Sequence, residues 1–262
     1  MILTCPVCGK PLVQEERSLR CAGRHSFDLA RSSYVNLLRG GGSHGDNDAM
    51  VKARTAFLQK GPYAFLKEAL CQELAAEPVE TFADLGCGEG YYTSAVRAPE
   101  KYGVDLSKKA IDHAAKTDRT TQYVLAGIFH LPLPDHSVDA ALTCFAPAAG
   151  EELQRILKPG GRFVFVTPAP RHLYELKEVL YEHPYENPEK EPDLPLVKEK
   201  TYQIQQAFTA DHDTLLNLFQ MTPYAYKTGT AGIARLEELD TLQITAAFTI
   251  RVYRSSGASS IS

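Results

Sequence analysis

The chain has no apolar run approaching the roughly 18 residues a membrane span needs, which excludes a transmembrane helix. Its start, Met1 to Gly9, lacks the basic opening and apolar stretch of a secretory leader, so the protein is expected to stay in the cytoplasm. Neither charge sign dominates: 28 Lys and Arg stand against 32 Asp and Glu, a net charge of -4 that argues against a general nucleic-acid binder. Glycine and proline (18 and 16 residues) are not in excess, charged residues make up 23% and apolar residues 44%; a wholly disordered chain is excluded. At 262 residues that composition supports one sizeable core and a small satellite. Cysteine is scarce, at six residues, and a reducing compartment makes disulfides an unsuitable account of them. Metal binding or burial must explain them.

The near-neutral average hides an asymmetry. Residues 1–60 hold 9 basic and 5 acidic residues, a balance of +4, and the remainder holds 19 and 27, a balance of -8. The basic end can meet a polyanion although the whole chain is acidic. Composition divides the chain into three regions. Residues 1–38 hold three of the cysteines among short apolar pieces. Residues 39–47 are glycine-rich, without apolar periodicity, and are expected to be a flexible linker. Residues 48–262 form the main domain, where strand and helix patterns alternate.

In that domain Asp48 is the expected N-cap of a helix through Ala53, Ala56 and Phe57, and Phe65, Leu66, Ala69, Leu70 and Leu74 mark a second helix. Strands are expected at 81–85, 102–106, 122–126, 138–143 and 162–167, with helices at 108–116 and 151–157. Such alternation implies right-handed crossovers and a parallel sheet covered on both faces. Residues 182–200, rich in Pro, Glu and Lys, are expected to be a mobile surface segment. A strand near 202–208, a helix opened by Asp211, a long apolar strand at 242–253 and a disordered tail at 255–262 complete the reading.

Two motifs carry chemistry. Cys5-x2-Cys8 and Cys21-x3-His25 can offer four soft or borderline ligands to one zinc ion, and Pro6 and Gly9 suit the tight knuckle. A module of under 40 residues buries too little surface to fold alone, so a structural metal is the expected staple. With four protein ligands the site is closed and structural. Cys71, Cys87 and Cys144 lack such pairing and are expected to pack. The second motif is Asp84-Leu85-Gly86-Cys87-Gly88-Glu89-Gly90-Tyr91, which comes after a strand and is expected to open a helix. Its glycines let the backbone turn sharply and approach a ligand. The spacing is G-x-G-x-G rather than the dinucleotide G-x-G-x-x-G, and two carboxylates flank it. Paired acids suit a cationic, phosphate-free ligand. S-adenosylmethionine, with a sulfonium, an ammonium and a ribose, fits that description. Asp105 ends the next strand, where a carboxylate can accept from both ribose hydroxyls.

These features resemble the class I methyltransferases, with Asp84 to Gly90 as the first motif, Asp105 as the second, and Leu157-Lys158-Pro159-Gly160-Gly161 as the turn before the fifth strand. That resemblance implies a Rossmann-like α/β fold whose sheet ends in an antiparallel hairpin. Further motifs extend the likeness over nearly the whole chain: Cys5-Pro6-Val7-Cys8, Arg24-His25-Ser26-Phe27-Asp28, Tyr34-Val35-Asn36-Leu37-Leu38, Gly86-Cys87-Gly88-Glu89-Gly90-Tyr91-Tyr92-Thr93, Pro170-Arg171-His172-Leu173 and Gln220-Met221-Thr222-Pro223-Tyr224. Together they resemble the RlmA family, bacterial 23S rRNA guanine-N1 methyltransferases with an N-terminal zinc module. The resemblance implies that Tyr63, Gly88, Glu89 and His172 contact the methyl donor and that a guanine in a 23S rRNA hairpin loop is the acceptor. Members often carry tryptophan near the C-terminus; this chain has none, which leaves Tyr224, Tyr226 and Tyr253 for aromatic contacts there.

The target guanine must be splayed or flipped out to reach a deep pocket. Lys10, Arg17, Arg20, Arg24 and Arg31 are expected to hold RNA backbone. After the fourth strand Cys144-Phe145-Ala146-Pro147 supplies an aromatic for stacking but no base, so the catalytic base is unassigned. A basic module on a flexible joint is also compatible with a homodimer sharing one cleft. The competing readings are a nucleotide-dependent oxidoreductase, a non-catalytic zinc-ribbon RNA binder, and a methyltransferase for another base or a small molecule. The paired acids and the intact Asp84, Gly86, Gly88 and Asp105 speak against the first two.

Overall fold

A computed structural model describes residues 1–40 and 47–256. The expected tail beyond Ser256 and residues 41–46 of the expected linker lie outside the described residues.

The first forty residues carry β1 (Leu12–Glu15), β2 (Ser18–Cys21), β3 (Ser26–Asp28) and β4 (Val35–Asn36). The first three form a small antiparallel sheet. The main domain begins with α1 (Asp48–Gln59) and α2 (Ala64–Leu74). Asn47, not Asp48, is the cap of α1: its side chain accepts from the Met50 N–H, and Asp48 sits in the first turn, where its charge still favours the helix dipole. The central strands are β5 (Thr81–Leu85), β6 (Glu100–Asp105), β7 (Gln122–Leu125), β8 (Val138–Cys144) and β9 (Leu157–Pro168), with α3 (Lys108–Thr117) and α4 (Gly150–Ile156) between them. Every residue of β5 is buried, as a central parallel strand covered on both faces requires.

After β9 come α5 (Tyr174–Leu180), β10 (Val197–Asp211), α6 (His212–Met221), α7 (Thr230–Glu237) and β11 (Thr241–Arg254). The eight-stranded sheet has the order β10-β11-β9-β8-β5-β6-β7-β4. Strands β4 to β9 pair in parallel, and β11 inserts antiparallel between β9 and β10. This is the class I methyltransferase architecture, with cofactor chemistry expected where the strand order reverses, at the carboxyl ends of β5 and β8.

Three further features depart from the sequence reading. The glycine loop opens a single 3-10 turn, Thr93–Ala95, rather than an α-helix. The turn ends at Val96, whose backbone is already extended (φ -73°, ψ 135°) on the way to β6. Residues 182–200 are not a loose surface segment: Val197–Lys200 belongs to β10, and the stretch before it is tied to the domain through Tyr185 and Asn187. Finally, β4 lies in the N-terminal region by sequence but pairs with β7, Val35 opposite Val124 and Asn36 opposite Leu125. The Leu37 N–H then donates to the Leu125 carbonyl at 3.0 Å.

The core has two faces. Phe57, Leu66 and Leu70 of the first two helices pack against Phe82, Leu142, Val164 and Phe248 on one side of the sheet. On the other, Leu3, Leu12, Leu19, Val35 and Leu37 share a cluster with Val104, Val124, Leu153 and Phe163. Each such buried aliphatic side chain contributes about 1.5–3 kcal/mol, so the N-terminal module is part of the sheet's core.

Candidate cofactor pocket and metal centre

The four ligands predicted from spacing meet in the N-terminal module. The ligand atoms of Cys5, Cys8, Cys21 and His25 all lie within 4.8 Å of one another. Cys8 Sγ and Cys21 Sγ are 3.6 Å apart, and His25 Nδ1 is 3.5 Å from Cys5 Sγ and 3.4 Å from Cys21 Sγ. A tetrahedron with Zn–S bonds of about 2.3 Å has sulfur–sulfur edges of about 3.8 Å. The donor set and its spacing therefore fit zinc, with His25 presenting Nδ1. Gly23 packs closely beside it: a Cβ there would lie 3.0 Å from Cys8 Sγ and 3.3 Å from His25 Nδ1, a tight contact against two ligands. All six cysteines are free of disulfides.

A cavity of about 850 Å³ opens at the carboxyl ends of β5, β6, β8 and β9. On its β5–β6 side stand Asp84, Gly86, Gly88, Glu89 and Asp105, all singled out from the sequence. Gly86 and Gly88 adopt φ values of 81° and 54°. A Cβ on Gly86 would lie 2.6 Å from Ala146 Cβ, so the loop needs glycine there both for its backbone and for its closeness to the β8 loop. Asp105 pins the bend: its Oδ2 accepts from the Gly88 N–H at 2.9 Å and its Oδ1 from the Ser107 N–H at 2.7 Å. Asp84 is buried and accepts from the Thr93 hydroxyl at 2.6 Å. Burial pushes its carboxyl up to about 7 against the pull of that hydrogen bond, and the charge of Asp105 adds to the rise.

The remaining predicted donor contacts, Tyr63 and His172, sit together on the opposite wall. His172 is buried and its pKa is lowered by desolvation to about 3, so the ring is neutral. The Ala247 N–H donates to His172 Nδ1 at 3.1 Å. The ring proton is therefore on Nε2, and Nε2–H donates to the Tyr63 hydroxyl oxygen, 3.2 Å away. That leaves the Tyr63 hydroxyl proton available to the cavity.

Four groups in or behind this cavity were not found from the sequence. Arg54 of α1 holds the Glu89 carboxylate through Nε at 2.6 Å. Tyr92 lines the cavity beside Phe145. A strap formed by Tyr185, Asn187 and Pro188 closes the β9 side. Behind it the fully buried Lys177 donates to the Tyr185 carbonyl and to Asn187 Oδ1, both at 2.8 Å, with its ammonium 4.4 Å from the centre of the Tyr185 ring. These residues converge only in the folded chain. A lone tyrosine or lysine in sequence carries no signal. Of the C-terminal aromatics, Tyr224 lines the cavity, Tyr226 is exposed and Tyr253 packs against Phe163 far from it.

Residues 3–39 match the family described as RlmA, N-terminal, and residues 83–165 match a methyltransferase domain. The 23S rRNA (guanine(748)-N(1))-methyltransferase of Streptomyces fradiae is 38% identical over 188 residues, 68% of this chain and 67% of that protein. The chain belongs to the RlmA family. YxjB of Bacillus subtilis, provisionally named a 23S rRNA (guanine-N(1)-)-methyltransferase, aligns with this RlmA chain over 262 residues at 28% identity, covering 92% of this chain and 93% of the relative. Among solved structures, a candidate type II methyltransferase of Anaeromyxobacter dehalogenans superposes with a TM-score of 0.56 at 23% identity, over 72% of this chain and 96% of that one. The YcgJ protein of Bacillus subtilis gives 0.51 at 15% identity, over 73% and 98%. Both likenesses concern the fold. This RlmA chain is an S-adenosylmethionine-dependent methyltransferase with a structural zinc site.

Proposed function

We propose that this protein transfers a methyl group from S-adenosylmethionine to N1 of a guanine in a hairpin loop of 23S ribosomal RNA. One observation carries the reading: a single cavity has a carboxylate-flanked glycine bend on one side and an aromatic wall on the other, with enough volume for both a nucleoside cofactor and a base. The family relatives named above supply the acceptor. Asp84, Gly86, Gly88, Glu89 and Asp105 hold the nucleoside and charged tail of the donor, and Tyr63, oriented by His172, completes that half.

The acceptor half lies past β8 and β9. Phe129, Phe145 and Tyr185 are 57%, 45% and 47% exposed, unusual for large apolar side chains, and all three rim this cavity. Phe145 holds a left-handed backbone (φ 61°), a strain that presents its ring at the mouth. A base extruded from its stack is received between such faces. When bound, S-adenosylmethionine supplies an electrophilic methyl on sulfur, whose bonding pair returns to sulfur as the new bond to N1 forms. The chain's part is alignment and exclusion of water. The cavity carboxylates are all engaged, Asp84 by Thr93, Glu89 by Arg54 and Asp105 by two backbone N–H groups. No residue is assigned as the acceptor of the N1 proton.

A groove beside the zinc knuckle, lined by Thr4, Val7, Arg39 and Arg155, meets the cavity at His130, which lines both. This continuity supports a path for RNA from the module to the acceptor site. Lys10, Arg24 and Arg31 are exposed for phosphate contacts. Arg17 instead binds the carbonyls of Leu29 and Ala30, and Arg20 pairs with Glu15.

Mass spectrometry of 23S rRNA nucleosides with and without the gene tests the proposal. Loss of one 1-methylguanosine, restored by the wild-type gene, is the expected result; an unchanged nucleoside profile overturns the assignment.

A further inference from the structure

Resting on that guanine reading, we propose that the groove beside the zinc knuckle is a second nucleotide subsite, in which a loop base close to the target guanine stacks on the guanidinium plane of Arg155 while Arg39 holds its phosphate.

The groove has a volume of about 540 Å³, within the range of about 300–1,000 Å³ for pockets that take small ligands. One wall is the knuckle, with Pro6 and Val7. The other is the loop after β7, with Pro132 and Pro134, together with Arg155 of α4. The walls are fixed to each other before anything binds. The Thr4 N–H donates to the Pro132 carbonyl at 2.9 Å, and the Leu131 N–H to Glu152 Oε2 at 2.6 Å.

Arg155 decides the class of ligand. Its Nε donates to Glu152 Oε1 at 2.8 Å. One terminal nitrogen donates to Asp135 Oδ1 at 2.9 Å and to the Leu133 carbonyl at 2.7 Å; the other donates to Glu152 Oε2 at 2.7 Å and to the Leu131 carbonyl at 3.0 Å. Every N–H donor of the guanidinium is thereby used, and all of them lie in its plane. The side chain is nevertheless 31% exposed and lines the groove. A cation whose edge is spent cannot grip a phosphate. It offers its flat face, and guanidinium faces stack on unpaired RNA bases. Val7, 56% exposed, and the prolines complete an apolar slot around that face.

The phosphate needs a cation with donors to spare. Arg39 lines the same groove, is exposed, and its guanidinium has no ion pair or hydrogen bond among the described residues. The groove's carboxylates, Glu152 and Asp135, are both bonded to Arg155, which offsets their charge. His130 lines both the groove and the acceptor cavity. The two hollows therefore share a wall, and the bases they hold belong to one short stretch of loop.

The test uses full-length, zinc-loaded protein and synthetic copies of the methylated hairpin, each lacking one loop base other than the target. Wild type is compared with Arg155→Lys, which keeps the charge and loses the plane, and with Val7→Glu and Arg39→Gln. Removal of one particular base is expected to lower wild-type kcat/KM by about five- to hundredfold. Arg155→Lys and Val7→Glu should lower it comparably on the intact hairpin and no further on the hairpin lacking that base. Arg39→Gln should weaken RNA binding and reduce its salt dependence by about one charge. Zinc content and S-adenosylhomocysteine affinity are unchanged throughout. Val7 bears none of the bonds that hold the Leu131–Leu133 loop, so Val7→Glu reports on the groove even where Arg155→Lys lowers Tm. If no single base removal abolishes the difference between wild type and Val7→Glu, the proposal is overturned. It is also overturned if Val7→Glu loses S-adenosylhomocysteine affinity, or if it alters sedimentation, which would assign the groove to a contact between copies of the chain. Wild-type protein that forms no 1-methylguanosine overturns the guanine reading itself; wild-type that forms it, with Val7→Glu and Arg39→Gln as fast, overturns only the subsite.

Discussion

Burial raises the Asp84 carboxyl from 3.8 to about 7, which ties both folding and cofactor binding to pH. Between those two values the unfolded chain has released a proton that the folded chain keeps, so folding stability falls as pH rises through that window. Binding a cation beside the carboxylate works the other way, since it favours the ionised form. S-adenosylmethionine carries a sulfonium that its product lacks. Its affinity is therefore expected to rise between about pH 6 and 8 by more than that of S-adenosylhomocysteine, with proton release on binding. Calorimetry in buffers of different ionisation enthalpy measures this, and Asp84→Asn should flatten the slope. An equal pH dependence for the two ligands would remove Asp84 from the sulfonium's surroundings. Asp84, Gly86, Gly88 and Asp105 were legible because a bend that forces positive φ leaves a glycine spacing in the sequence. Arg54 and Tyr92 were not, because nothing in their own neighbourhood requires them.

At the scale of elements, the sequence reading placed every central strand, since each is a short run of buried apolar residues closed by a turn. It failed where length or side-chain anchoring overrode local pattern. The stretch after the glycine bend has helix-compatible residues but turns extended at Val96. The strap before β10 has the composition of a loose loop, yet Lys177 fixes it from beneath. Lys177 is wholly buried, satisfied by two oxygens and the faces of Tyr185 and Tyr224, and has no carboxylate at ion-pair distance among the described residues. Replacing it with methionine leaves the part-buried Tyr185 carbonyl and Asn187 Oδ1 without their donor, at about 1 kcal/mol for each lost hydrogen bond. Lys177→Met is expected to lower Tm and to speed proteolytic cleavage at 181–196, with KM for RNA rising more than the dissociation constant for S-adenosylhomocysteine. Limited proteolysis with mass mapping, alongside steady-state kinetics, checks this. Cleavage and KM at wild-type values would show that the strap holds without its lysine.

For the molecule as a whole, the zinc ribbon is continuous with the catalytic sheet. The Met1 ammonium pairs with Glu100 at 2.9 Å, the Ile2 N–H donates to the Tyr102 hydroxyl at 2.8 Å and the Thr4 N–H to the Pro132 carbonyl at 2.9 Å. Leu3, Leu12 and Leu19 share the sheet's core. Metal binding in such a module is folding energy, and here that energy is transmitted to the larger domain. Chelation is expected to lower the single melting transition of the entire protein by about 10 °C and to weaken S-adenosylhomocysteine binding. Calorimetry with and without a chelator decides it, and a methyltransferase transition that stays put while a small separate one disappears would show the two parts to be independent.

The two-residue strand β4 occupies the outer side of β7. With the ribbon unravelled, the backbone N–H and C=O groups of Val124 and Leu125 face water along a bare, apolar margin, the kind that recruits a second chain. Starved of zinc, the protein should come out of solution as clumps before it lingers as a soluble but idle enzyme.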